Sequence, residues 1–148
     1  MEASSNAGYF RSYEELSVHE LMIKDKPRTE GYRDAIEANR DRLRGKIVMD
    51  VGAGTGILSL FAARAGAKKV HAVEASRMAQ VTREIVRANK LEDIIEVHEC
   101  RVEDLQLPDD GKVDVIISEW MGFYLLHESM LNSVVYARDR FLRSDGLM

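Results

Sequence analysis

Two glutamates frame the stretch SEWMGFYLLHESM: Glu119 and Glu128, nine residues apart (119 to 128). Apolar and aromatic residues and one glycine lie between them, and a strongly apolar run, VDVII, leads in. If the loop folds back, both carboxylates aim at one point, where two like charges repel. They then need a delocalised cation between them. Guanidinium is the natural fit, because it offers a planar fork of donors. The plainer reading is a capping glutamate at 128, favoured by the free N–H groups of a helix start, and an unrelated strand-end acid at 119. No metal is expected here, since no histidine or third acid stands at a clean ligand spacing and His127 points the other way along the turn.

A second group of residues implies a ligand beside that clamp. The stretch DVGAGTG carries Gly52, Gly54 and Gly56 after an apolar run and before a helical one. Glycines there allow a sharp turn and let a ligand touch the main chain. The spacing G-x-G-x-G differs from the G-x-G-x-x-G of dinucleotide binders, and no G-K-[ST] follows for a nucleoside triphosphate. Glu74 ends the next strand, 22 residues on (52 to 74), where an acid can accept from both hydroxyls of a ribose. Glu103 lies past the third strand in CRVEDL, placed to meet an adenine amino group. Glycine turn, ribose acid and adenine-side acid together describe an S-adenosylmethionine pocket. Read blandly, they are a tight strand–helix turn with surface acids. A methyl donor beside a guanidinium clamp means arginine methylation.

The elements that must position these residues alternate. IVMDV, KVHAVEA, IIEVHE and KVDVIISE read as strands. ILSLFAARAG, SRMAQVTREIVRANK and ESMLNSVVYARDRFL read as helices, with Ser76 as an N-cap and Gly66 as a stop. Strands alternating with helices predict the α/β class: a doubly wound, mostly parallel, Rossmann-like sheet covered on both faces. Ligands of such sheets lie beyond the carboxyl ends of the strands, where Gly52, Glu74 and Glu119 fall. Before the sheet, residues 1–8 read as a flexible tail and residues 9–44 as N-terminal helices, one from Tyr9 to about Ile23, broken by Pro27, and one from Thr29 to about Asn39. Residues 45–148 form the cofactor-binding domain. The Asp145–Gly146 pair predicts a turn, and Leu147 the start of a fifth strand; the chain is expected to be part of a longer protein.

Composition sets the outer limits. The chain has 148 residues, 45% hydrophobic and 31% charged, with a formal net charge of −4. That is globular rather than disordered, and it speaks against a nucleic-acid surface. The single cysteine, Cys100, cannot form an internal disulfide and favours an intracellular setting. No apolar run approaches the ~18 residues of a membrane span, the N-terminus lacks the pattern of a signal peptide, and no internal repeat or low-complexity segment stands out.

With these residues quoted, a resemblance is plain. SEWMGFYLLHESM resembles the double-glutamate loop of the protein arginine methyltransferases. VGAGTGILS resembles their cofactor loop, and YFRSY and SVHELMIKDKPRT resemble their N-terminal segments. The likeness runs from Tyr9 to the end of the chain. It implies that Phe10 and Tyr13 lie on a helix that lids the cofactor, that His19 faces the cofactor, and that Arg28 holds the methionyl carboxylate. Gly52, Gly54, Glu74 and Glu103 match the family's cofactor contacts, and Glu119 and Glu128 its substrate clamp. Asp25 matches an acid that pairs with a histidine of a later loop. Met22 and Met130 match the methionines of type I members, which make asymmetric dimethylarginine; symmetric-type members carry phenylalanine at the first. Taken without the resemblance, Arg28 reads as a surface charge, His19 as a packed helix histidine and the methionines as core. His127, where many members carry Tyr or Phe, resembles the nuclear member numbered six.

The resemblance further implies S-adenosyl-L-methionine as cofactor, S-adenosyl-L-homocysteine as product and no metal. It implies arginine-rich protein substrates such as histones or RNA-binding proteins, a role in chromatin regulation, a homodimer of the full-length protein, no nucleic-acid or membrane binding, and a nuclear or cytoplasmic setting. The family's C-terminal β-barrel, dimerisation arm and histidine-bearing loop are expected after the point where this chain stops. Two other classes compete. One is an S-adenosylmethionine-binding fragment or pseudoenzyme; the other is a nicotinamide-dependent dehydrogenase, which the glycine spacing disfavours.

Overall fold

The computed structural model describes residues 16–121 and 130–148. Phe10 and Tyr13, the first part of the expected N-terminal helix, and Glu128 and His127 lie outside the described residues.

The N-terminal helices are α1 (Leu16–Lys24), α2 (Lys26–Ala38) and the short α3 (Arg40–Leu43). Asp25 separates the first two: its carboxylate accepts from the Arg28 N–H at 3.4 Å and caps α2, with Pro27 in the first turn, where a missing N–H costs nothing. The break expected at Pro27 therefore falls at Asp25. Ile36 and Leu43 are buried in the same apolar cluster as the sheet.

The sheet then alternates with helices: β1 (Ile47–Val51), α4 (Ile57–Arg64), β2 (Lys69–Val73), α5 (Met78–Ala88), β3 (Ile95–His98), a 3₁₀ turn over Val102–Asp104, β4 (Val113–Ile117), α6 (Leu131–Phe141) and β5 (Leu142–Leu147). The five strands lie in the order β3-β2-β1-β4-β5 and all pairings are parallel. Parallel strands are covered on both faces, and two apolar layers do this. Val48, Val70, Ala72, Ile95 and Val115 pack with Leu58 and Ala62 of α4 and Val86 of α5. Met49, Val51, Val73, Val113 and Ile116 pack with Val134, Ala137 and Phe141 of α6. The strand order reverses at β1, so a crevice opens beyond the carboxyl ends of β1 and β4.

The end of the chain differs from expectation. Asp145 and Gly146 do not precede the fifth strand; they fall within it, where its ladder is irregular. α6 stops at Phe141, Leu142 is already extended, and β5 follows directly, with Asp145 and Gly146 inside it. β5 pairs with β4 from Val113↔Leu142 to Val115↔Leu147, an irregular ladder with a shift in register. Arg143 anchors it to Asp110 and Asp114 at 3.2 and 3.4 Å. The pull that overrides the turn signal is the edge of β4, whose N–H and C=O groups need partners.

Candidate active site

The glycine loop is held from both sides. The Gly52 and Ala53 N–H groups donate to the Val73 carbonyl at 2.9 and 3.0 Å, fastening the loop to the end of β2. One residue further on, Glu74 spans the loop and the start of α5. Its Oε2 accepts from the Gly54 N–H at 2.8 Å and its Oε1 from the Ser76 N–H at 2.9 Å. Ser76 in turn accepts the Met78 N–H at 3.2 Å; the helix's own N-cap is Arg77, one residue after the expected one. Thr82 on α5 donates to the Gly54 carbonyl. Gly54 has φ +56°, and a Cβ there would lie 3.1 Å from His19 Cε1; the buried His19 ring therefore covers the loop. Gly52 has φ +75°, and a Cβ would come within 2.5 Å of the Met130 methyl carbon. The positive φ favours glycine at both positions, and at Gly54 a side chain would also press on the buried His19 ring.

A second group forms at the end of β4. The Ser118 hydroxyl donates to the Val51 carbonyl at 2.7 Å, which draws the end of β4 to the residue before Gly52. Next to it, Glu119 Oε2 takes Arg28 Nη2 at 2.6 Å, with both side chains partly buried. Arg28 Nη1 also donates to the Met22 carbonyl at 3.3 Å, and its guanidinium lies 5.8 Å from the Tyr32 ring. Burial, and then the Glu119 charge, push the Tyr32 hydroxyl above its ordinary pKa against the pull of Arg28. A charge-assisted pair between residues 91 apart thus fastens α2 to the sheet.

The structure therefore gathers Gly52, Gly54, Glu74, His19 and Met130 on the loop, and Arg28, Met22 and Glu119 beside it. Two further expected site residues make local contacts of their own. Asp25 is exposed and caps α2. Glu103 accepts from the Ser133 hydroxyl at 2.6 Å and lies 3.4 Å from Arg101. Burial raises the Glu103 pKa, but Ser133 and Arg101 outweigh it and hold the carboxyl below its ordinary value.

Two polar pairs escaped the sequence reading. Asp50, 1% exposed in the middle of the sheet, accepts from the Ser59 hydroxyl at 2.7 Å. Burial pushes its carboxyl up to about 7, with help from the Glu74 charge and against the Ser59 hydrogen bonds. The signal was an acid inside an otherwise apolar strand, IVMDV. His71 and His98 face each other across β2 and β3 with ring nitrogens 3.0 Å apart. Burial and the neighbouring His98 lower His71 to about 4, and burial lowers His98, so both rings are neutral at pH 7.

A doubly wound sheet with a glycine turn after β1 and an acid after β2 defines a nucleoside-cofactor fold of the methyltransferase class. Comparison supports that class. The family model that matches is Ribosomal protein L11 methyltransferase (PrmA), over residues 29–131, which puts the chain among the methyltransferases. The chain is 59% identical over 140 residues to a probable protein arginine N-methyltransferase 6.1 of Oryza sativa subsp. indica, covering 95% of this chain and 36% of the relative. Among solved structures it matches Arabidopsis thaliana protein arginine methyltransferase 10 in a uniquely open conformation, with TM-score 0.90 and 50% identity over 93% of this chain and 39% of that one. It also matches the Trypanosoma brucei PRMT1 enzyme-prozyme heterotetrameric complex with AdoHcy, with TM-score 0.88 and 51% identity over 93% of this chain and 43% of that one. The chain belongs to the protein arginine N-methyltransferase family, as its N-terminal, cofactor-binding part. It spans about a third of the length of the first curated relatives it matches, between 32% and 36%.

Proposed function

We propose that the protein carrying this chain transfers a methyl group from S-adenosyl-L-methionine to a guanidinium nitrogen of protein arginine. The observation that carries this reading is the Arg28–Glu119 pair. Glu119, at the mouth of the crevice, holds a guanidinium at 2.6 Å, so its position and charge suit the group that the substrate would present. The glycine loop supports the cofactor. A side chain at Gly52 or Gly54 would fill space already taken by Met130 or His19, and the loop N–H groups lie at the ends of the strands. Each Glu74 oxygen accepts one backbone N–H and keeps a lone pair for a ribose hydroxyl.

The cofactor supplies an electrophilic methyl on a sulfonium. The chain's part is positioning: Glu119, with Glu128 from the loop, orients the substrate side chain and concentrates electron density on the attacking nitrogen. Neither needs to be a strong base, because the proton leaves after the methyl arrives. Met22 and Met130 suit the asymmetric dimethyl product. With this reading go arginine-rich substrates such as histones or RNA-binding proteins, a homodimer of the whole protein, no metal at the clamp, and a nuclear or cytoplasmic setting.

The test is methylation of an arginine-rich peptide by the full-length protein and by Glu119→Gln, which keeps shape and removes charge. Turnover should fall at least ~100-fold, while S-adenosylhomocysteine affinity stays within a few-fold. Turnover that survives in the variant overturns the clamp.

A further inference from the structure

On the β3 edge of the sheet, three side chains converge without any assigned part in methyl transfer. His71 lies on β2, and Glu96 and His98 on the edge strand β3. The register pairs His71 with Glu96 and Val73 with His98. Side chains alternate along a strand, so all three project from one face. His71 Nδ1 and His98 Nε2 are 3.0 Å apart. Glu96 brings one oxygen to 3.9 Å from His71 Nδ1 and the other to 4.0 Å from His98 Nε2. We propose that His71, Glu96 and His98 form a binding site for a divalent transition metal of the zinc class.

The geometry is close to what a metal requires. Bonds of ~2.1 Å in a tetrahedron set ligand atoms roughly 3.4 Å apart. The two nitrogens need to part by a few tenths of an ångström, and the carboxylate needs to turn one oxygen toward both rings and close by up to about an ångström. Glu96 can supply that movement, because its side chain is 50% exposed. The two imidazoles are less free: the side chains of His71 and His98 are 9% and 16% exposed. Buried rings fixed on paired strands are preorganised, and the exposed carboxylate leaves an entry path. Two imidazoles and one carboxylate suit zinc, cobalt, nickel or copper rather than magnesium or calcium, and leave a fourth position for water.

One contact must yield. Lys69 Nζ lies 3.1 Å from Glu96 Oε2; its partly exposed, flexible stem can turn to solvent. The plain alternative is that the two rings merely share a hydrogen bond while Glu96 pairs with Lys69. A metal changes more than that. The Glu74 N–H donates to the His98 carbonyl at 3.0 Å, so an ion here staples the edge strand to β2 directly beneath the acid that braces the glycine loop.

The experiment is calorimetric titration of Zn²⁺ into the chelator-treated chain, paired with the visible absorption of Co²⁺ in its place. One equivalent should bind, with a four-coordinate cobalt spectrum that Zn²⁺ abolishes. Glu96→Gln and His98→Ala should each weaken binding at least ~10-fold. Glu96 is half exposed, so that variant keeps the fold even where His98→Ala does not. No binding overturns the proposal. So does zinc bound with unchanged affinity by the folded Glu96→Gln variant, since the ion then sits elsewhere.

Discussion

Asp50→Asn tests the electrostatics of the sheet centre. The folded carboxyl is held at about 7, against an ordinary 3.8. Between those values the folded chain keeps a proton that the unfolded chain has lost. Stability therefore falls as pH rises through this window, and is flat on either side of it. The three or so pH units of the window, at 1.36 kcal/mol per unit, amount to ~4 kcal/mol. Between pH 5 and pH 8 about two of those units are crossed, so roughly 2–3 kcal/mol should be lost through this group. Asn keeps the size and an acceptor for Ser59 but has no proton to lose. Urea unfolding of both proteins at pH 5, 6, 7 and 8 gives the check. The parent should exceed the variant by more at pH 5 than at pH 8, with the difference shrinking by that amount. Groups common to both chains cancel in the comparison. Parallel pH profiles would show that Asp50 is ionised throughout, and would refute the claim that burial outweighs the Ser59 hydrogen bonds.

Other outcomes are expected at the site. Glu74→Ala should weaken S-adenosylhomocysteine binding by ~1–3 kcal/mol, from unpaired ribose hydroxyls and a loosened glycine loop; unchanged affinity by calorimetry would remove Glu74 from the site. Gly54→Ala should lower stability by ~1–2 kcal/mol, since φ +56° strains a side chain that also presses on His19, and thermal unfolding reads this directly. In the full-length protein, Glu128→Gln should cut turnover at least ~100-fold with cofactor affinity nearly intact; turnover within a few-fold of the parent would end its role in the clamp.

Much of this architecture was legible because it is local. IVMDV followed by glycines announces β1 and its turn, and the alternation of strand and helix announces the doubly wound sheet. Ser76 was readable as a helix-start residue for the same reason: the N–H it accepts is two residues away. What stayed hidden depends on contacts distant in sequence. Nothing in the chain reveals that Arg28 lies on Glu119, because 91 residues separate them. His71 and His98 meet only because the register of β2 and β3 sets them side by side. The turn signal at Asp145–Gly146 was sound as local chemistry and lost to a non-local demand, the pairing needs of β4. Asp50 was visible in the sequence, but its meaning required the burial that only the folded sheet supplies.

The Arg28–Glu119 pair has a consequence for timing. One guanidinium fork already serves Glu119 and the Met22 carbonyl. Under the proposed reading, a methionyl carboxylate arriving at Arg28 draws that fork away. Glu119 is then left with a negative charge in a partly buried place, and the next guanidinium to approach is attracted to it. Before that moment, a substrate arginine meets a carboxylate that is already neutralised. On that reading, a single ion pair would set the sequence of arrivals, cofactor before substrate, and would hold Glu119 neutralised until there is a methyl to give.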